Sequence, residues 1–412
     1  MRFRAAPAGL AAALLVAWST AARSSSPHAS ELCGKAGGIA SELAVISGLK
    51  LRRPVPCDLI SKEKVNEFLK KRVKEATTPE EIRAEELTLK KFGFAPPEFK
   101  LEQTTIDLLT EQAAAFYDYD KKKLFVTETA SPETELPVLA HELSHAIADQ
   151  NFNLAKFIRQ GRKSDDGAIA RLAIMEGQAT WLMSEYLAHK AGQSLKTSPA
   201  LVRVMSTLGN SSGQFPVFDS APLYLRQTLV FPYTQGLLFQ QAVIQHDGNE
   251  GFAAVFRRPP VSTQQILHPE KYFEQAKPVL PPLPDPKLPR GFKALIGGSL
   301  GELDHEVLLE QYTNKREAGE IGPHWRGSVY ELLENKKTAR VVLLYAVQWD
   351  SPEMARRYLE LYRQVLAKKW KQMKIASETA AAVTGSGDDG RFELRLDEAV
   401  VTSVEGLPAK AN

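Results

Sequence analysis

Cysteine is nearly absent: the 412 residues contain two, Cys33 and Cys57. Two thiols exclude a disulfide-rich scaffold and a cysteine-built zinc site, and leave at most one bridge, which would pin the N-terminal segment in an oxidising compartment. An excess of charge of one sign is lacking too. Fifty-two Lys and Arg face 49 Asp and Glu, for a net charge of +3, and no basic block stands out. Nothing therefore argues for nucleic acid or another polyanion as a partner. Beyond residue 22 no apolar run is long enough to cross a bilayer, so no transmembrane span is expected once the first residues are removed. No internal repeat is present.

What is there is a globular composition, 43% apolar and 25% charged, in a chain long enough for two or three domains. Residues 1–22 differ in kind. A positive start (Met1-Arg2-Phe3-Arg4), an apolar Ala-rich run from Ala5 to Ala17 and small residues at Ser19-Thr20-Ala21-Ala22 read as a secretory signal, which places the mature chain outside the cell or in the periplasm. The alternative, an uncleaved anchor, meets an apolar run shorter than the roughly 20 residues a span needs. The Ser-Glu-Leu before Cys33 lacks the small residues expected ahead of a lipid-modified cysteine.

Residues 23–110 read as a helical lead-in: Val65, Phe68, Leu69 and Val73 keep helical spacing, and Pro79 suits the start of a second helix. Ala115 to Tyr119 and Leu124 to Thr127 are short β-prone runs around a lysine-rich turn, which predicts a hairpin, with the second run available as an edge strand for an extended peptide. Six prolines in residues 277–290 forbid helix or central strand and mark an extended linker between a domain at 111–276 and another at 291–412. The last of these reads as a small α+β domain: strands at 325–330, 341–347, 391–396 and 400–404, a helix over 352–369, and Gly385 to Gly390 as a hairpin turn rather than a calcium loop. Its role is not written in the sequence; a protein partner is one candidate. The Asn210-Ser211-Ser212 sequon informs only if the host glycosylates.

The chemistry concentrates in Leu139 to Gln150, LAHELSHAIADQ. Thr134 as N-cap, Glu135 at the positive end and Pro137 in the first turn predict a helix running to about Gln150. On it His141 and His145 stack one turn apart, so two imidazoles converge, and Glu142 lies beside that point. A catalytic zinc needs a third protein ligand and an open position for water. A third histidine six residues on is missing, because Ala148 and Asn151 occupy the positions that pattern requires. The remaining source is a carboxylate on a later helix. Residues 167–190, with Asp165 or Asp166 as cap and Gly192 at the close, carry Glu176 in the middle of an apolar stripe. A carboxylate buried there asks for a cation, either a metal or, alternatively, a Lys or Arg in a salt bridge. The small Gly177 and Ala179 allow this helix to approach the motif helix closely.

His141-Glu142-Leu143-Ser144-His145 followed 31 residues later by Glu176 resembles the gluzincin group of zinc metallopeptidases. The stretch from Tyr117 through HELSHAIADQNF, EGQAT, FPYTQG (231–236) and STQQILHPEKY (262–272) is similar to a family of secreted bacterial metalloprotease-like proteins. The resemblance implies zinc on His141, His145 and Glu176, Glu142 as catalytic base, and a polypeptide substrate. It departs from the thermolysin pattern at Thr180, where an Asp would support a zinc-bound histidine. An oxyanion also wants a donor besides the metal. Tyr233 and His268, in Pro-containing segments that read as turns, are the candidates, and both have a second reading as packing or capping residues. The expected fold is α+β: a mostly helical zincin-like catalytic domain with a β-hairpin before the HExxH helix, then the C-terminal α+β domain. The expected function is a zinc peptidase. The rivals are a zinc-bearing binding or envelope protein with a structural or inactive site, and a zinc-free scaffold with Glu176 salt-bridged.

Overall fold

The computed structural model describes residues 27–112, 115–127, 132–162, 164–208 and 215–409. Residues 1–22, read above as a secretory signal, and the Asn210 sequon lie outside them. The described chain is 57% helical and 19% strand, the mostly helical α+β class expected. Its first half contains α1 (Pro27–Ser47), α2 (Lys62–Ala76), α3 (Pro79–Phe92), α4 (Leu101–Gln112), α5 (Pro132–Phe152), α6 (Leu154–Gly161), α7 (Asp165–Lys190) and α8 (Pro199–Leu208). There follow α9 (Pro216–Ser220), α10 (Leu223–Asp247), α11 (Gly251–Arg257), α12 (Thr263–Leu267), α13 (Pro269–Phe273), α14 (Glu302–Tyr312), α15 (Lys315–Ile321) and α16 (Pro352–Lys369).

Local chemistry explains most boundaries. Thr78 and Glu81 form a capping box on α3, Pro79 takes the first helical position, and Gly93 at φ 89° closes the helix in the left-handed region. Three expectations shift. The helix α5 starts at Pro132, so Thr134 lies inside it and Pro137 falls in its second turn. The cap of α7 is Ser164, whose side chain accepts from Gly167 N, because Asp166 is drawn inward to Thr263. And FPYTQG is no turn: Pro232 and Tyr233 sit within the 25-residue helix α10.

A small sheet precedes α5. Strands β1 (Cys57–Ile60), β2 (Ala115–Asp118) and β3 (Lys123–Thr127) lie in the order β1-β3-β2, with β1 parallel and β2 antiparallel to β3. The hairpin is present, but β3 is central rather than an edge, because Cys57 to Ile60 had no alternation strong enough to read as a strand. Leu124 N donates to Pro56 O at 2.8 Å, so β3 is already paired on that side. The edges of this sheet are β1 and β2, and β2 is buried along its length. Cys33 on α1 and Cys57 form a disulfide with Cα atoms 5.4 Å apart, fastening the first helix to this sheet.

The C-terminal sheet holds seven antiparallel strands in the order β4-β5-β6-β10-β9-β8-β7: β4 (Lys293–Gly298), β5 (Trp325–Asn335), β6 (Arg340–Trp349), β7 (Lys374–Glu378), β8 (Ala382–Gly387), β9 (Gly390–Asp397) and β10 (Val400–Leu407). One face meets an aromatic-rich core with residues of α14 and α16. This core also takes Phe92 of α3, edge-on to Tyr330 and Tyr345 at 5.3 Å each. The lead-in is therefore divided: α3 belongs to the C-terminal core, whereas α1 packs with α5 and α7 and α2 with β2, because helical spacing announces a helix but not the surface it covers. Residues 277–290 are extended, as their prolines require, yet they do more than span a gap. Leu283 and Leu288 pack on Val342, Leu344, Val404 and Leu407 of the sheet's other face.

Candidate metal centre

Helices α5, α7 and α10 form the scaffold of the site. The contact between α7 and α10 is set by two glycines: a Cβ on Gly177 would lie 2.2 Å from the Gly236 carbonyl carbon, and one on Gly236 would lie 2.2 Å from Ala173 O. The close approach made by Gly177 is thus to α10, whereas the sequence reading aimed it at α5. It holds the neighbouring Glu176 in register with Tyr233, three residues before Gly236.

The three expected ligands meet. His141 Nε2 lies 3.1 Å from Glu176 Oε2, His145 Nε2 lies 3.3 Å from the same oxygen, and the two Nε2 atoms are 3.1 Å apart. All three side chains are buried. Ligands at about 2.0–2.1 Å in tetrahedral array stand roughly 3.3 Å from one another, so this triangle is one face of a zinc-sized tetrahedron. The group can hold a metal ion; two imidazole nitrogens and a carboxylate oxygen suit zinc, which the residues therefore fit. A salt bridge of Glu176 to Lys or Arg is not what satisfies it.

Electrostatics within the group are those of a coupled site. Burial disfavours the Glu176 anion, but His145 and His141 outweigh it and hold the carboxyl down at about 2. Burial lowers His141, while Glu176 and Glu142 overcome burial and raise His145. Glu142 stands apart. Its carboxylate is not in the triangle but accepts from Tyr117 N at 2.8 Å, and burial, reinforced by Glu176 against the opposing charge of His145, pushes it up to about 8. A cation held by the neighbouring triangle would oppose that rise, so the carboxyl is within reach of both protonation states, as proton transfer requires.

Two phenols complete the surroundings. Tyr233 stacks on His141 with centroids 6.0 Å apart and hydrogen-bonds Glu176; burial and that carboxylate raise its hydroxyl well above the ordinary value. Tyr119, just after β2, meets His145 edge-on at 6.4 Å and is raised by burial, Glu176 and Glu142. Tyr119 was missed in the sequence because it reads as the end of a hairpin run. Its signal was positional: two residues beyond Tyr117, it shares that residue's side of the chain. His268 is elsewhere. Its Nε2 pairs with Glu302 at 2.7 Å and its Nδ1 faces Glu270 at 3.7 Å, so it caps the junction of α12 and α13 against α14 and shares no partner with the triangle. A proline on either side of a motif gave no measure of that separation. Asp149, one turn after His145, accepts from the Tyr117 hydroxyl at 3.0 Å and pairs with Lys122 at 2.7 Å, tying α5 to the hairpin. At Thr180 the departure from the thermolysin pattern is real: its Oγ1 and the Nδ1 of His141 are both buried without a hydrogen-bond partner.

Residues 295–412 match a family model described as a domain of unknown function, DUF8575. That match covers the C-terminal sheet and contains none of the site. No curated protein and no solved structure matches the chain.

Proposed function

We propose that the protein is a zinc-dependent peptidase acting outside the cell or in the periplasm. The observation that carries this reading is the place of Glu142: its buried carboxylate lies beside the ligand triangle and outside it, fixed by Tyr117 N, and a metal held only for structure has no use for a carboxylate so placed. His141, His145 and Glu176 would hold the ion. When bound, zinc supplies a Lewis acid and a water of lowered pKa. Glu142 takes the proton from the attacking water and passes it to the leaving amine, and Tyr117 N keeps the carboxylate oriented between those two acts. Tyr233 hydrogen-bonds Glu176 in the metal-free site and, like Tyr119, stays protonated; with that carboxylate on the metal, both hydroxyls would be donors toward developing carbonyl charge. Polypeptide is the substrate class this arrangement suits. Tyr117 turns its amide away from β3 and toward Glu142, which occupies it, and the antiparallel alternation gives Ala115 the same outward orientation, so an extended chain would pair with the edge of β2 at Ala115 rather than at Tyr117. The Cys33–Cys57 bridge supports an oxidising compartment.

The test combines zinc content with cleavage. The wild-type protein should carry one zinc that Glu176→Ala weakens or loses, and should cleave members of a peptide library, whereas Glu142→Gln should keep zinc and lose cleavage. Retained cleavage by Glu142→Gln removes the base; zinc without any cleavage by the wild type leaves a metal-bearing binding protein.

A further inference from the structure

Between α3, α4, α7 and α10 and the edge of the C-terminal sheet lies a cavity of about 140 Å³. That is close to the roughly 150 Å³ of an engineered apolar cavity that holds benzene. Leu108, Leu109, Leu172, Leu225 and Leu229 form its apolar wall. Glu85, Asp165 and Asp304 also line it, and among the described residues no Lys, Arg or His does. Two of the carboxylates have phenols: Tyr330 donates to Asp165 at 3.2 Å and Tyr224 to Asp304 at 3.0 Å. Glu85 is different, for its Oε2 is buried without a hydrogen-bond partner. Burial and the facing Asp165 raise its carboxyl well above the ordinary value, a condition that a bound cation would relieve.

Two helices carry the cavity's lining to within a turn of the metal centre, although no residue of that centre lines it. Leu172 lies one turn before Glu176 on α7 and Leu229 one turn before Tyr233 on α10, each about 6 Å along its helix. Leu109 and Leu229 pack in one cluster with Tyr233 and with Phe116 of the edge strand β2. A cavity walled by leucines that also holds an unpartnered carboxyl oxygen matches an alkyl stem carrying a cation.

We propose that this cavity binds an organic cation on an alkyl stem, stem against the leucines and cation on Glu85, and that the stem is the lysine or arginine side chain of the peptide at the metal centre. The second half rests on the peptidase reading; the first does not.

Calorimetry with n-pentylamine and with 1-pentanol tests the first half on the wild-type protein, with no substitution required. The amine should bind at least ten times more tightly, and Glu85→Gln should remove the difference; no amine binding, or equal binding of the alcohol, overturns the site. A peptide library with lysine, arginine and norleucine at each position tests the second half. Cleavage should favour lysine or arginine over norleucine at one position, and Glu85→Gln should reduce that preference at least tenfold. Amine binding together with cleavage indifferent to lysine overturns the side-chain assignment and leaves a site for a separate small amine. Amine binding with no cleavage of any peptide overturns the peptidase reading and upholds the cavity.

Discussion

Adding one methyl group at Gly177 probes the link between packing and metal geometry. In Gly177→Ala the new Cβ would lie 2.2 Å from the carbonyl carbon of Gly236, with the carbonyl oxygen at 2.3 Å and Cα at 2.6 Å. Carbon atoms in contact prefer about 3.5 Å or more, so α7 and α10 must separate by roughly 1.3 Å. The obstacle is backbone on both sides, and no rotamer can absorb it. Overpacking of a core costs about 1–3 kcal/mol, and this position belongs at the upper end even after the gain of up to ~1 kcal/mol from replacing helical glycine. Glu176 is the adjacent residue. Ligand distances tolerate only about 0.2 Å, so the displaced carboxylate should weaken zinc binding by about 10- to 100-fold, the range seen when a ligand loses its support. Urea unfolding measures the first effect and competition with a chromogenic chelator the second. Gly38→Ala on α1, where a Cβ meets nothing within 4 Å, is the control and should stabilise slightly. If Gly177→Ala matches that control in both assays, the two glycines do not set the position of Glu176 and the reasoning fails.

Replacing both Cys33 and Cys57 by Ser opens a loop of 24 residues' separation and should cost about 3.5 kcal/mol in urea unfolding, with little change if the bridge is unformed in the purified protein. Asp166, buried against Thr263 and near Asp304, is pushed up to about 7 chiefly by burial. The folded state therefore holds a proton that the unfolded chain has lost, so stability should fall by a few kcal/mol as pH rises from about 4 to 7 and level off above. Asp166→Asn should flatten that slope, and parallel pH curves for the two proteins would contradict the assignment. Phe at Tyr233 or at Tyr119 should lower turnover by about 10- to 100-fold and leave zinc content unchanged; unaltered turnover makes that ring a packing residue only.

The histidine pair, its glutamate and the distant Glu176 were legible because helical spacing and the cost of burying a carboxylate are local arguments. Ser164 was passed over as a cap because two aspartates follow it and compete for the same role; only the fold shows that Asp166 is spent on Thr263. Tyr233 was named for the wrong reason. Proline marked its segment as a turn, whereas the long helix α10 keeps Pro232 within it and gains its place from packing against α7. His268 failed as a site residue because its partner, Glu302, lies 34 positions away in the next body of the fold, beyond what spacing can report. Strand order escaped too. The pairing of β1 with β3 joins segments far apart in sequence, and nothing in Cys57 to Ile60 announces it.

The proline-rich segment has a last consequence. It is the connection between the two bodies and also the lid over one side of the seven-stranded sheet, while α3 helps to close the other. The stretch that matches a family by sequence, residues 295–412, begins after both of these covers. Cut out at that boundary, it would bare Val342, Leu344, Val404 and Leu407 on one face and leave Tyr330 and Tyr345 without Phe92 on the other. The matched segment is thus smaller than the unit whose two faces are covered here, and a C-terminal fragment should be less stable from residue 295 than when it carries residues 277–290 and is supplied with α3 in trans.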